Sequence, residues 1–303
     1  MAEAGLKAAD VGMDMRDERP AGWPWAGLCA SLVFHVRKHR LGALGAVGVV
    51  LVVFVAIFAP VLSRYDPNAQ DLANVLLSPS AAHVLGTDDL GRDLLGRLVF
   101  GARVSLQAGV VTVFFAMLAG ITLGLLGGFV GGWVDEVLMR LMDAVLAFPG
   151  LVLALAISAA LGQGLGNAMV AIAIVSTPQF ARLTRGQVLA VKEFEFVAAA
   201  RAGGASNRRL IFLHVLPNIT SPIVVQCVLS VANAIIVEAS LSFLGVGVQP
   251  PTPSWGAMLR MGYGYIDMAP WLSVAPGLAI FATVLAFNFL GDGVQDVLDP
   301  RRR

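Results

Sequence analysis

From Leu41 to Leu62 the chain runs without a single charged side chain. A stretch of that length matches the roughly 20 apolar residues that carry a helix across a hydrocarbon core of about 30 Å. Similar stretches recur, and they set what the rest of the chain can be. Apolar residues make up 57% of the sequence and charged residues 14%, with a mean hydropathy of +0.78. Soluble domains sit near 45–50% and about 25%. The excess falls in blocks, so the sequence predicts an all-α integral membrane protein.

Six spans are expected, at about 41–62, 104–128, 137–161, 167–183, 219–246 and 270–290. Val104 to Gly128 is uncharged, and Arg140 and Asp143 fall in the first turns of the third span. Six crossings put both termini on one side. With the termini inside, sixteen of the 21 lysines and arginines lie on inner segments and five on outer ones. Positive charge favours the cytoplasm, so both termini are predicted cytoplasmic. The chain then divides into an N-terminal tail (1–40), a transmembrane domain (41–291) with an outer loop at 63–103 and an inner loop at 184–218, and a C-terminal tail (292–303). The first apolar run exceeds the 7–15 residues of a signal peptide's apolar core, so it is expected to remain as an anchor. Trp23, Trp25 and Phe34 near Arg37 and Lys38 suggest an interfacial helix ahead of it.

Gly120, Gly124, Gly128 and Gly132 recur every four residues. Such a stripe lets another helix approach closely, and packing is its expected role. Pro149, Pro178 and Pro276 lie in or beside spans and mark kinks or helix starts. Cys29 and Cys227 are far apart and read as unpaired packing thiols. No metal-ligand spacing occurs.

The outer loop carries Gly86, Thr87, Asp88, Asp89, Gly91, Arg92 and Asp93. The glycines permit turns, and Thr87 and Asp88 can cap a helix starting near Asp89. Asp88, Asp89, Arg92 and Asp93 form either a local charge network or a cation or substrate site. In the inner loop, Phe194, Val197, Ala198 and Arg201 follow helical spacing, Gly203-Gly204 breaks the helix, and Ser206 can cap a second short helix running to Leu216. Pro217 suits the start of the fifth span. The expected result is a helix–turn–helix finger on the cytoplasmic face, serving either as a docking element or as a solvated basic loop. Glu238 is the most notable ionisable group in the spans. It is a candidate for substrate contact or gating, or for structural hydrogen bonding near the outer end of span five. Gln226 and Asn233 share nearly one helical face and are candidates for lining a path.

A phosphate-binding loop needs a Gly-Lys step, and none of the three lysines follows a glycine. ATP hydrolysis is therefore not expected of this chain. An ion-coupled transporter would want mid-membrane carboxylates or broken helices. A membrane enzyme would want a convergent Ser/His/Asp or His/Glu set, yet His35, His39, His83 and His214 fall outside the spans on both sides.

The stretch Phe196, Val197, Ala198, Ala199, Ala200, Arg201, Ala202, Gly203, Gly204, Ala205, Ser206, followed by His214 to Asn218, resembles the EAA loop of ABC importer permeases. Leu85 to Asp88, Gly91 to Asp93, Gly101 to Arg103, Glu238 to Gly245, Pro253 to Gly256, Asn288 to Gly293 and Leu298 to Pro300 resemble the dipeptide/oligopeptide/nickel branch, in particular its C-type subunit. The resemblance runs from about residue 35 to the end. It implies the type I importer permease fold in a bacterial inner membrane and a second, homologous permease as partner. It also implies two cytoplasmic ATPase subunits that hold ATP and Mg, an extracytoplasmic solute-binding protein that delivers the solute, and no nucleic acid. The solute would be a peptide, glutathione, a D-amino-acid dipeptide or a nickel complex. Ala198 stands where the motif has its acid, and Gly203 where a larger apolar residue is usual. Both departures bear on coupling.

Overall fold

The computed structural model describes residues 40–298; the expected interfacial helix and the N-terminal tail lie outside the described residues. Ten helices are found among the described residues: α1 (Arg40–Ile57), α2 (Ala59–Leu62), α3 (Leu94–Val130), α4 (Gly132–Leu146), α5 (Gly150–Leu161), α6 (Leu165–Val191), α7 (Glu195–Ala202), α8 (Asn207–Phe243), α9 (Trp255–Tyr263) and α10 (Trp271–Leu298). The sole bridge among the described residues, outside any named strand, joins Thr87 to Asp93. Among the described residues α3, α8 and α10 are each long and apolar enough to cross a membrane, and the bent pair α4–α5 would make a fourth.

Small side chains set the packing. Helices in lipid gain little by hiding apolar surface from one another, so they associate where backbones can approach. α3 lies along α6. A Cβ on Gly120 would sit 2.4 Å from Phe180 Cβ, one on Gly124 2.5 Å from the Ala181 carbonyl, and one on Gly128 2.9 Å from Val188 Cβ. Three glycines of the expected stripe therefore face α6. Gly132 does not: nothing lies within 4 Å of it, and its φ of +59° serves the turn between α3 and α4. A second seam went unread in the sequence. Gly42, Gly45 and Gly48 of α1 meet Gly293, Leu290 and Ala286 of α10 at backbone-contact range. The opposite sides of these helices keep Leu44, Val47, Leu51, Phe115, Leu118, Leu278 and Phe281 exposed, an apolar surface suited to lipid.

Four expectations need correction. The third span is not one helix: α4 and α5 meet at 91°. Pro149 lacks the N–H an unbroken helix would need and disfavours a helical Phe148, and its own ψ of 122° is extended. The charges of that span, Arg140 and Asp143, stay with α4. α3 starts ten residues before Val104, and α6 runs through to Val191, taking the first part of the expected inner loop. Pro217 stands in the first turn of the α-helix Leu216–Phe243, as expected, but that helix is continuous with the turns from Asn207 through a π-helical stretch at Leu210–Val215, which accommodates a residue without a donor. α10 continues to Leu298, so the C-terminal tail begins as helix.

Candidate functional site: an outer knot, a buried carboxylate and an inner finger

The segment between α2 and α3, expected to be the outer loop, is folded around Asp88, which is fully buried. Its Oδ1 accepts from the backbone N–H groups of Leu90 and Arg92, both at 2.9 Å. Its Oδ2 accepts from Arg92 Nε at 2.6 Å and lies 3.4 Å from Arg97 Nε. Arg92 also reaches Asp89 at 3.4 Å. Thr87 Oγ1 donates to the Asn74 carbonyl at 2.6 Å and accepts from Leu77 N–H at 2.9 Å. Gly86 and Gly91 hold φ of +86° and +71°. A Cβ on Gly91 would sit 1.8 Å from the Asp71 carbonyl, so this turn admits only glycine.

Thr87 and Asp88 do not cap a helix, because their oxygens are taken by loop donors. Asp93 does: Oδ2 accepts from Gly96 N–H at 2.7 Å at the start of α3, and Oδ1 lies 3.0 Å from His83 Nδ1. The charge network therefore runs Asp89–Arg92–Asp88–Arg97, with Asp93 paired to His83 instead. Arg97, ahead of the uncharged stretch, is 4% exposed.

Glu238 faces inward from α8 and has no exposed surface. Its Oε1 accepts from Ser242 Oγ at 2.8 Å and Oε2 lies 3.5 Å from Ser105 Oγ of α3, while Ser242 Oγ accepts from Val248 N–H at 3.0 Å. Asn233 points to an exposed face and Gln226 bonds Ser230 Oγ at 3.1 Å. The three candidate path residues thus divide between the interior and the outside of α8.

At the other end lies the finger. α7 buries Val197 against Val188, Val191, Leu210, Val215 and Ile219. The chain reverses at Gly204, whose φ is +81°. Ala205 N–H donates to the Ala200 carbonyl and Gly204 N–H to the Arg201 carbonyl, both at 3.0 Å. This pair of bonds is a Schellman closure, and it requires a left-handed residue where Gly204 stands. Ser206 Oγ then accepts from Arg209 N–H at 3.4 Å and caps α8. Phe196, Ala198, Ala199, Arg201, Arg208 and Arg209 are exposed on the far side. Ala200 and Ala205 are half-buried. Behind the finger, Arg185 of α6 grips Asp135 of α4 through two 2.6 Å hydrogen bonds, Arg182 pairs with Asp143, and Lys192 Nζ donates to the Gly128 carbonyl at 3.2 Å.

A family model described as "Binding-protein-dependent transport system inner membrane component" matches residues 120–303, more than half of the chain and all of the finger. The chain belongs to this family. A second model, for the N-terminal transmembrane domain of oligopeptide transport permease C, matches residues 33–79. Among curated relatives, the dipeptide transport system permease protein DppC of Alkalihalophilus pseudofirmus is 44% identical, over 95% of this chain and 93% of its own. The di/tripeptide permease DppC of Pseudomonas aeruginosa is 49% identical over 82% and 84%. The glutathione transport system permease GsiD of Pectobacterium atrosepticum is 47% identical over 82% of each. A solved methionine ABC transporter, MetNI in an inward-facing conformation, matches with a TM-score of 0.57 at 18% identity, over 68% of this chain and 98% of that one, which supports the fold.

In this inner-membrane permease the stretches that carry the resemblance do structural work that the residues alone left hidden. Arg103 donates to the Ala56 and Ile57 carbonyls at 2.5 and 2.9 Å, closing the C-terminal end of α1. Ser254 caps α9, Trp255 Nε1 donates to the Leu98 carbonyl at 2.9 Å, and the Trp255 ring lies over Gly101. Gly256 meets the Ala239 carbonyl and Gly293 meets Gly42.

Proposed function

We propose that the chain is the C-type permease subunit of an ATP-driven importer of small peptides in a bacterial inner membrane. The observation that carries this is the likeness to the dipeptide permease of A. pseudofirmus over nearly the full length of both chains. The finger supports the energy-coupling half of the reading. It is anchored by apolar burial, closed by a glycine turn and bare on its far side, as an element waiting for a partner would be.

In this reading the helices alternate. α1 with α2 runs outward and α3 returns. α4 lies at the inner interface with its charges, α5 runs outward, α6 returns, α8 runs outward and α10 returns. That gives six crossings with both termini cytoplasmic, in keeping with the sixteen-to-five charge split. The outer knot and α9 face the periplasm. A homologous permease completes the path, and two cytoplasmic ATPase subunits hold ATP and Mg and seat the fingers. Phe196 to Arg201 and Gly204 to Ser206 form the coupling contact on this chain. A periplasmic solute-binding protein presents the peptide.

The test is uptake of a radiolabelled dipeptide into proteoliposomes holding the full complex, with ATP supplied on the finger side. Uptake is expected to need ATP and the binding protein and to vanish in Arg201→Glu, which should also lose the ATPase on purification. Normal ATP-driven uptake by Arg201→Glu would remove the finger from coupling. Uptake of no peptide by the wild type would remove the substrate class.

A further inference from the structure

A cavity of about 510 Å³ opens between the outer knot and α9; its lining includes Asp89, Arg92, Arg97, Ser242, Gln249 and Arg260. Three guanidiniums share it with few anions. Asp88 is fully buried behind the wall and is divided between Arg92 and Arg97; Asp89 answers Arg92. Arg97 is 4% exposed; its Nη1 donates to the Pro67 and Pro251 carbonyls at 2.9 and 3.5 Å, and its Nε lies 3.4 Å from the shared Asp88 carboxylate.

Arg260 makes no hydrogen bond or ion pair among the described residues. Its guanidinium packs against Gly245, with Nη1 only 2.0 Å from where a Cβ there would sit. Ser242 and Gln249 add a hydroxyl and an amide. Ser242 is fixed by its bonds to Glu238 and Val248, and Gln249 Nε2 by the Gly245 and Gly247 carbonyls at 3.1 Å. The wall is thus preorganised, cationic by one charge and polar. Its volume falls in the range of about 300–1,000 Å³ typical of small-molecule sites.

We propose that this cavity is a carboxylate subsite that takes the C-terminal carboxylate of a small peptide on the outer side of the permease, between Arg97 and Arg260. The proposal rests on the peptide-import reading for its ligand and on the cavity alone for its chemistry. A planar carboxylate suits paired guanidinium donors, and it would supply the anion that Asp88 and Asp89 leave missing.

The test uses the assembled transporter, purified without its binding protein in nanodiscs, titrated calorimetrically with trialanine and with trialanine amide. The free acid should bind at least about tenfold more tightly than the amide, the scale of a hydrogen-bonded charge. Arg260→Met, at an exposed position that the fold does not need, should abolish that preference. Gly245→Ala, which keeps every charge but displaces the Arg260 guanidinium, should reduce it. Equal binding of acid and amide by the wild type, or an unchanged preference in Arg260→Met, overturns the proposal. So does an Arg260→Met variant that loses association with the binding protein while holding trialanine normally, because the guanidinium would then serve a protein contact. If the complete wild-type system imports no peptide yet still prefers the acid, the carboxylate subsite stands and the peptide-import reading falls.

Discussion

The outer knot and the inner finger are both polar excursions from the same helical bundle, and they are built on opposite terms. In the knot, Thr87, Asp88, Arg92 and Asp93 are all buried, and nearly every donor and acceptor they carry is met within the chain. In the finger the chain buries one apolar face around Val197, exposes Phe196, and leaves Arg201, Arg208 and Arg209 with no ion pair among the described residues. A polar segment satisfied from within is architecture. A polar segment satisfied only on its apolar side is an interface. The contrast says where substitutions will cost stability and where they will cost coupling.

The largest loss of stability is expected for Asp88→Ala. It strands Arg92 and Arg97 without their carboxylate, and breaking a buried ion pair from one side costs about 3–5 kcal/mol. Thermal unfolding of the purified complex, with proteolysis of the 63–93 segment, would read it. A near-wild-type midpoint would mean that the knot is not the anchor its burial suggests. Gly124→Leu should follow. Its added side chain meets the Ala181 carbonyl, backbone that cannot swing away, and overpacking of that kind costs about 1–3 kcal/mol. Gly204→Ala on the finger should cost about 1–2 kcal/mol, since it forces an alanine into the left-handed region with open space around it. Arg201→Glu should move stability by no more than about 0.5 kcal/mol while removing the ATPase from the purified complex. Should Arg201→Glu unfold the chain, the finger is architecture too and the contrast dissolves.

Much of this was legible in the sequence because bilayer length and charge asymmetry act on composition alone. The uncharged runs marked the cores of α1, α3, α8 and α10, and Gly203-Gly204 marked the turn. What stayed hidden depended on partners distant in the chain. Whether Pro149 breaks a helix and Pro217 does not is decided by what surrounds each. Pro149 sits where the chain can turn from α4 into α5, whereas the turn before Pro217 is widened while Leu210 and Val215 pack against Val197. Asp93 outcompetes Asp88 as the cap because Asp88 is occupied by Arg92, which spacing cannot reveal. Gly42, Gly45 and Gly48 have no four-residue period, and their seam becomes visible only once α10 lies beside them. Glu238 was legible as an ionisable group in its span, but its burial and its partners were not. Its helix position is near the outer end, yet Ser105 and Ser242 close over it.

The central claim is that the bare face of the finger lies in the cytoplasm and meets an ATPase there. A version with Cys29 and Cys227 replaced, carrying a single cysteine at Ala199 or at Ala69, both exposed, can be treated with a membrane-impermeant thiol reagent in intact spheroplasts. The account predicts labelling of Ala69→Cys, none of Ala199→Cys until the membrane is opened, and protection of the latter when the ATPase subunits are bound. Labelling of Ala199→Cys in sealed spheroplasts would contradict it.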